Sequence, residues 1–407
     1  MGIIVQKFGG TSVSTLESRQ KVVQKIISAK DEGKSVVVVV SAMGRKGDPY
    51  STDNLIGLVE NCKDNISDRD MDLLLSCGEI ISGVILTGLL QRQGYKAICL
   101  TGAQAGIITD NYHGCARIIK VNPELIHNYL NQDYIVVVAG YQGITEDGEI
   151  TTLGRGGSDT TAAALGVALN AEIVEIYTDV NGLKAADPRI VEDAKTLDKV
   201  TYNEVCQLAY EGARVIHPRA VEIAMQGSIP LRIRSTFTNE PGTLVVSKLY
   251  PYEGKQIRGD RLVTGIAQIT NISQIKINSP EISKMETKKE ILTTIANNSI
   301  SIDFINIFPD QIVFTVPDFL ADEVEKIISS KGHKVSVLKN CAKVAAVGAG
   351  MTGVPGVMAR IVKALAEEGI DVLQSADSYT TIWCLVDNKD MKRAVKALLK
   401  EFDLSEA

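Results

Sequence analysis

The first 180 residues alternate short β-branched runs with stretches of helical pattern, and few folds accommodate that alternation. The runs are "IIVQKF", "SVVVVVS", "KAICLTG", "DYIVVVAGYQG" and "AEIVEIYTD"; helix-like stretches cover 14–31, 70–93, 123–131 and 159–169. A half-exposed strand alternates apolar and polar residues, whereas continuous Val/Ile runs belong to strands buried on both faces. Strands of that kind joined by helices predict an α/β fold with a mostly parallel sheet between helix layers. Several runs end in Gly, Ser or Thr, and the carboxyl edge of an open parallel sheet is where ligands bind. "SVVVVVSAM" is apolar over far fewer than the roughly 20 residues a membrane helix needs. A soluble protein is expected, with no membrane partner.

The pattern changes after "GTLVVS". Residues 248–262, "KLYPYEGKQIRGDRL", are polar, contain Pro and Gly, and lack periodicity; they predict a linker after a first domain over 1–247. Beyond it the chain repeats itself. "ANNSISIDFINIFPDQIVFTV" (296–316) lies without gaps over "AEEGIDVLQSADSYTTIWCLV" (366–386). Each copy reads as a helix end, a strand, a turn and a second strand, followed by a helical pattern at 318–331 or 388–401. Two small βαββαβ units are predicted, over 263–339 and 340–407.

Charge and composition narrow the function. The balance of 43 basic against 49 acidic residues gives −6 without a long basic run, which argues against nucleic acid as a partner. Seven scattered cysteines without a C-x-x-C pair predict free thiols in a reducing cytoplasm. Four equally scattered histidines give no sign of a transition metal held by protein alone. "MGIIVQKFGG" has too short an apolar run for a signal peptide.

Three glycine-containing turns carry the chemistry. "VQKFGGTSV" (5–13) sets Lys7 at a strand end, before Gly9, Gly10, Thr11 and Ser12 and an amphipathic helix. This reverses the order of the phosphate loop G-x-x-x-x-G-K-[ST], so that motif is absent. It is either a tight turn with a surface lysine or an anion cradle of exposed N–H groups and one ammonium. "TTLGRGGSDTTAAALG" (151–166) again sets glycines before a helix, here capped by Ser158 or Asp159. Arg155 beside those glycines supplies a planar clamp for carboxylate or phosphate. Two such turns at strand carboxyl ends favour anion binding over turns alone. "EIYTDVNGLKAADPR" (175–189) offers Thr178, Asp179, Lys184, Asp187 and Arg189, in an ordinary turn or a seat for base, ribose and polyphosphate. "LLLSCGEIIS" sets Glu79 on an apolar helix, where a buried carboxylate is costly unless paired. Glu79 balances a core arginine or binds a substrate ammonium.

In this order and spacing, "KFGGTS", "SAMG", "GRGGSD", "YTDVNGL" and "ADPR" resemble the aspartokinases of the amino-acid kinase superfamily. The resemblance extends through "GARVIHPRA" and "IPLRIRS" into the paired C-terminal units, which look like ACT domains. It covers essentially the whole chain and is closest to the short, single-activity bacterial type, with the diaminopimelate-sensitive kind as a candidate. It implies a three-layer αβα amino-acid kinase fold followed by two ferredoxin-like ACT domains. It also implies transfer of the ATP γ-phosphoryl group to the β-carboxylate of L-aspartate, with Mg²⁺, at the head of lysine/diaminopimelate, threonine and methionine biosynthesis. That nucleophile is already an anion at pH 7, so positioning and charge neutralisation would carry catalysis.

By the same resemblance, Lys7 bridges the transferring phosphoryl group while Phe8, Gly9 and Gly10 bring backbone amides near it. Arg155, with Ser158, clamps the aspartate α-carboxylate and Glu79 its ammonium. Asp159 organises the site, and Ser41 and Thr52 line the pocket. Thr178, Asp179, Lys184, Asp187 and Arg189 hold the nucleotide. The chain departs from the family at Arg214, where many members have lysine in "GAKV", and at "RSTF" from Arg234, where some have lysine after "GSS". Arginine keeps the charge but not the geometry, so the cation completing the phosphate site stays open between Arg214, Arg234 and another.

"GAGMTG" (348–353) matches G-x-G-x-x-G, but fewer than 60 residues follow Gly350, too few for a dinucleotide-binding sheet. "AGMTGVPGV" instead resembles the ACT loop that wraps a small amino acid. Gly353, Val354, Pro355, Gly356, Gln374 and Ser375 are therefore expected to hold an effector: lysine, threonine or diaminopimelate. Ser279-Pro280 is the counterpart in the first copy, which departs from the usual loop and is expected to be mainly structural. ACT units generally form effector sites at dimer interfaces, which implies at least a homodimer. A glutamate or acetylglutamate kinase is disfavoured by the ACT-like tail and Glu79. A non-catalytic amino-acid sensor is disfavoured by the presence of Lys7, Arg155 and Asp159.

Overall fold

The computed structural model describes residues 2–62, 64–213, 215–247, 262–278, 281–351 and 353–405. The expected linker, except Leu262, lies outside the described residues, as do Arg214 and Ser279-Pro280. The chain divides into two compact units: Met1–Leu183, Thr196–Tyr210 and Arg214–Lys255 form one, and Lys184–Lys195, Glu211–Ala213 and Gln256–Ala407 the other.

The main sheet of the first unit, with elements numbered in chain order, comprises β1 (Ile3–Phe8), β2 (Ser35–Val40), β3 (Ala97–Leu100), β6 (Ile135–Ala139), β9 (Ile173–Thr178), β10 (Lys199–Thr201), β11 (Leu231–Ser235) and β12 (Thr243–Val246). Their order is β10-β12-β11-β9-β1-β2-β6-β3. Neighbours are parallel except β11 and β12. Val36 to Val40 and Ile135 to Ala139 are fully buried, as the unbroken apolar runs require. Helices α2 (Leu16–Asp31) and α4 (Asp68–Arg92) pack Val22, Ile26, Leu86 and Leu90 onto Phe8, Val36, Val38 and Val40.

Helix α6 (Gly157–Ala168) packs against β1, β2 and β9, and is buried from Gly157 to Gly166. Its small residues allow this: a Cβ on Gly166 would stand 2.3 Å from Val174 Cγ2. The unit is completed by α1 (Gly10–Val13), α3 (Thr52–Leu58), α5 (Glu124–Asn131), α7 (Tyr202–Tyr210) and α8 (Pro218–Gln226). A small sheet, β5-β4-β7-β8, combines β4 (Ile107–Thr109), β5 (Ile118–Val121), β7 (Gln142–Ile144) and β8 (Ile150–Thr152). Among the described residues α4 alone is long and apolar enough to cross a membrane, but half of that stretch is buried in this unit.

The second unit holds a six-stranded sheet in the order β14-β15-β13-β16-β18-β17. Its strands are β13 (Gly265–Asn278), β14 (Asp303–Ile307), β15 (Gln311–Pro317), β16 (Lys334–Val347), β17 (Gln374–Asp377) and β18 (Thr381–Asp387). Helices α9 (Met285–Asn297), α10 (Ala321–Ser329), α11 (Val357–Glu367) and α12 (Met391–Glu401) complete the two copies read from the repeat. Strands β13 and β16 each serve both copies. From Ile272 to Asn278, β13 pairs with β15 and with the start of β16; from Gly265 to Ile269 it pairs with Lys343–Val347, whose other neighbour is β18. The second copy, expected over 340–407, thus takes its last strand from 265–269, inside the bounds expected for the first copy.

Each shared strand breaks at a left-handed asparagine, Asn271 (φ 59°) and Asn340 (φ 56°), a conformation this residue tolerates better than most. The sheet also curls on itself. Gln374 Nε2 on β17 donates to the Phe304 carbonyl (2.5 Å) and to Asn306 Oδ1 (2.6 Å) on β14, at the far end of the strand order. Ile272, Phe304, Cys341 and Leu385 fill the space between.

Candidate active site

Lys7 lies on β1, one residue before its end, and the chain then turns through Gly9 into α1. The loop after β2 crosses this turn closely. A Cβ on Gly10 would stand 2.6 Å from the Gly44 carbonyl oxygen and 2.8 Å from that of Ala42. Backbone bonds fix the crossing: Ser41 N–H donates to the Phe8 carbonyl (3.1 Å) and Gly44 N–H to that of Gly10 (3.0 Å). Gly9 N–H donates to the Tyr177 carbonyl at 3.3 Å, so this amide is already engaged. The Phe8 ring is fully buried and stacked on Tyr177, with centroids 4.7 Å apart. Phe8 as a whole is buried and its carbonyl is taken by Ser41, so neither its ring nor its carbonyl is open to a ligand.

The second glycine turn precedes α6. Gly154 and Gly156 are left-handed, at φ 72° and 71°. Gly156 occupies the cap position and no side chain caps the helix, which corrects the expectation that Ser158 or Asp159 would do so. Both lie inside the first helical turn and are buried. The Asp159 carboxylate lies instead 2.7 Å from Lys7 Nζ, both side chains being 12% exposed. This contact joins the two turns. Arg155 is exposed and makes no hydrogen bond or ion pair among the described residues.

Behind this turn stands His217, which the motif reading left unassigned. A Cβ on Gly156 would stand 2.3 Å from the His217 Cβ, so glycine is needed for the approach. His217 caps α8, its Nδ1 accepting from Arg219 N–H at 3.4 Å. Burial pushes its pKa down, and the Asp159 charge opposes that shift.

Glu79 enters from the middle of α4 and is 3% exposed. Its Oε1 accepts a hydrogen bond from Ala42 N–H at 3.0 Å, while Oε2 is buried with no hydrogen-bond partner among the described residues. No arginine among the described residues pairs with it. Burial pushes the carboxyl up to about 8; the Ala42 N–H and the Lys7 charge pull the other way. Gly78 lets α4 come this close, since a Cβ there would stand 2.9 Å from the Ala42 Cβ. Ser41 adjoins Ala42, and Thr52 opens α3 beside its cap Ser51.

Tyr141 lies between Glu79 and α6 at φ 70°, a strained conformation for a bulky residue. Its N–H donates to Thr161 Oγ1 (3.1 Å), and its ring packs where a Gly157 Cβ would be 2.7 Å from Cδ2. Burial raises the phenol pKa, and the Thr152 hydroxyl, hydrogen-bonded to the phenol, offsets part of that shift. No motif marked this residue.

Of the nucleotide candidates, Thr178 ends β9 and Asp179 follows it, both in the first unit. Asp179 pairs with Arg45 (2.6 Å), a residue of the "SAMGRKG" loop that the sequence reading passed over. Lys184, Asp187 and Arg189 belong to the second unit. There Lys184 Nζ donates to the Ala194 carbonyl (2.9 Å), and Arg189 pairs with Asp187 (2.7 Å). Arg234 is held by Glu175 (3.1 Å) over the Tyr177 ring.

A cavity of about 770 Å³ in the second unit is bordered by Gly353, Val354, Gly356, Ser375, Asp377 and Tyr379 among others. Gly356 (φ 90°) starts α11 without a side-chain cap. Four of the six residues expected to hold an effector therefore line one cavity. Pro355 is exposed but does not border it, and Gln374 bonds to β14 and Gln274 as described.

The model of the amino acid kinase family matches residues 2–235, and an ACT domain model matches 336–400. Aspartokinase 1 of Bacillus subtilis is 53% identical over 405 residues, covering all of both chains. The crystal structure of Clostridium acetobutylicum aspartate kinase superposes with a TM-score of 0.82 at 26% identity, covering 99% of this chain and 100% of that one. E. coli aspartokinase III in complex with aspartate and ADP shares the fold at a TM-score of 0.77 and 24% identity, over 98% of this chain and 99% of its own. The chain belongs to the amino acid kinase family, and within that family to the aspartokinases with C-terminal ACT domains.

Proposed function

We propose that this enzyme transfers the γ-phosphoryl group of ATP to the β-carboxylate of L-aspartate, giving β-aspartyl phosphate and ADP. The observation that carries the residue roles is the Lys7–Asp159 contact. It fixes one ammonium between the glycine turn after β1 and the uncapped start of α6, where N–H dipoles favour an anion. Lys7 neutralises the phosphoryl group in transit, and Asp159 sets its direction. Arg155, exposed and without a hydrogen bond or ion pair among the described residues, takes the α-carboxylate beside Ser158. Glu79 takes the α-ammonium, which would hold the buried carboxyl in its ionised form and fill the vacant bonding position at Oε2. Ser41 and Thr52 line the same pocket. No base is needed, because the attacking oxygen is already a carboxylate.

Thr178, Asp179, Lys184, Asp187 and Arg189 are the proposed nucleotide contacts, with Arg214 the proposed additional cation; Arg234 is already committed to Glu175. Among the described residues no group of three or more His, Cys, Asp or Glu is placed to hold a metal. Mg²⁺ is the proposed metal, carried mainly by nucleotide phosphates and water; when bound it would neutralise phosphate charge.

The proposed limits are 1–247 for the catalytic domain and 248–262 for the linker, then 263–407 for the two ACT repeats, whose expected division at 339/340 is crossed by the shared strands β13 and β16. An amino-acid effector (lysine, threonine or diaminopimelate) would bind at the cavity before α11 in a cytoplasmic homodimer or larger homo-oligomer. A hydroxamate assay with ATP, Mg²⁺ and L-aspartate tests this reading, run alone and then with lysine, threonine or meso-diaminopimelate. Aspartyl hydroxamate suppressed by one of them supports both parts. Activity with glutamate or N-acetylglutamate but not aspartate would transfer the chain to a sister kinase. No product from any would favour the sensor.

A further inference from the structure

Asp72 lies seven residues before Glu79 on α4, two turns along the same helix face. It is fully buried, which for a carboxylate demands a complete set of donors. Gly114 N–H reaches both oxygens (3.1 and 3.0 Å), His113 Nδ1 lies 2.9 Å from Oδ2, and the Thr152 hydroxyl donates to Oδ1. Three segments meet on this one group: the helix carrying Glu79, the loop through Gly114, and the end of β8. The loop and strand are tied to each other as well, Ala116 N–H donating to the Thr152 carbonyl at 2.8 Å. Three residues beyond Thr152 comes Arg155. Between them, Gly154 packs so closely that a Cβ would stand 3.2 Å from the Gly114 carbonyl oxygen and 3.3 Å from Cys115 Sγ.

We infer that Asp72 is a positioning residue for the amino-acid acceptor, setting the distance between Arg155 and Glu79. The inference rests on the roles proposed for those two residues. Asp72 touches no reacting atom; it locks the turn bearing the guanidinium to the helix bearing the carboxyl, so both ends of an α-amino acid are met at a fixed span. Such a lock acts on aspartate and leaves the nucleotide side alone. A misplacement near 1 Å costs up to about a hundredfold in kcat/KM.

The test is steady-state kinetics on Asp72→Asn, Thr152→Val and Thr152→Ser, with aspartate and ATP varied separately and Arg155→Gln as reference. Asp72→Asn and Thr152→Val are expected to lower kcat/KM for aspartate on the order of ten- to a hundredfold, through KM, with the KM for ATP unchanged. Thr152→Ser, which keeps the hydroxyl, should restore the parent value. Should Asp72→Asn fail to fold, the two Thr152 variants decide. Unchanged aspartate kinetics in folded Asp72→Asn or Thr152→Val, or equal losses for aspartate and ATP, would overturn the inference. So would Thr152→Ser falling as far as Thr152→Val. If Arg155→Gln alone is without effect, the clamp role fails while a raised aspartate KM in Asp72→Asn still places the lock at Glu79.

Discussion

Lys7 and Asp159, far apart in sequence, meet at 2.7 Å where the end of β1 faces the first turn of α6. Neither caps a helix nor forms an exposed surface pair, and the proposed roles treat the contact as part of the site. Lys7→Ala is expected to lower kcat by about 10² or more while the fold persists. The double variant with Asp159→Asn should lose less than the sum of the single losses, because the two act as one unit. Turnover within a few-fold of the parent in Lys7→Ala would remove this lysine from the phosphoryl path.

On the role proposed for Glu79, its buried carboxyl should make aspartate binding depend on pH. Its pKa is raised from 4.5 to about 8, so the empty site holds a proton at neutral pH. A bound ammonium needs the ionised form, and kcat/KM for aspartate should climb with pH up to about 8 and then level. For the fold the sign is opposite. The raised value means this group's contribution is complete below pH 4.5 and is lost as pH rises to about 8. Glu79→Gln cannot ionise, so its unfolding free energy should exceed the parent's by a margin that widens across that window, at most by roughly 1.4 kcal/mol per pH unit. A margin constant from pH 5 to 9 would show that Glu79 is ionised throughout.

Gly10 is required by contact and not by φ. Gly10→Ala would press a methyl group against two carbonyl oxygens of the 42–44 loop, which cannot yield as a flexible side chain could. A loss of about 1–3 kcal/mol in stability is expected, along with reduced turnover from the displaced turn. Denaturant unfolding compared with kcat would register both; a variant as stable as the parent would mean the loop moves freely.

In the second unit, Asp377 is the acidic residue bordering the cavity before α11. Asp377→Asn should raise the inhibitory concentration of a cationic amino acid about tenfold or more, the scale of one charge-assisted hydrogen bond, with uninhibited activity unchanged. Equal inhibition of parent and variant would place the effector elsewhere.

The sheet, its helices and the two copies were legible in the sequence because burial on both faces writes unbroken Val/Ile runs and because the repeat keeps its spacing. Lys7, Glu79, Arg155 and Asp159 stood out as charges beside glycine or among apolar residues. What stayed hidden depends on partners distant along the chain. Asp159 resembles a helix cap until Lys7 is placed beside it. Asp72 is one acidic residue among several at a helix start until Gly114 and Thr152 converge on it. Tyr141 adopts a positive φ through its surroundings, not its residue type. Gln374, expected at the effector, also bonds to Phe304 and Asn306 where the sheet curls, and no local period encodes that closure.

The two asparagines at the breaks in β13 and β16 give the regulatory half of the chain an unusual property. Each shared strand belongs to one copy before its asparagine and to the other after it, so the repeats are woven together and not threaded like beads. Cutting the chain between Asn340 and Cys341 would take the edge partner of Gly265–Ile269 away with the severed piece. Neither fragment would keep a whole sheet. The repeats should therefore melt in one transition, and a ligand gripping one of them tightens the weave of both.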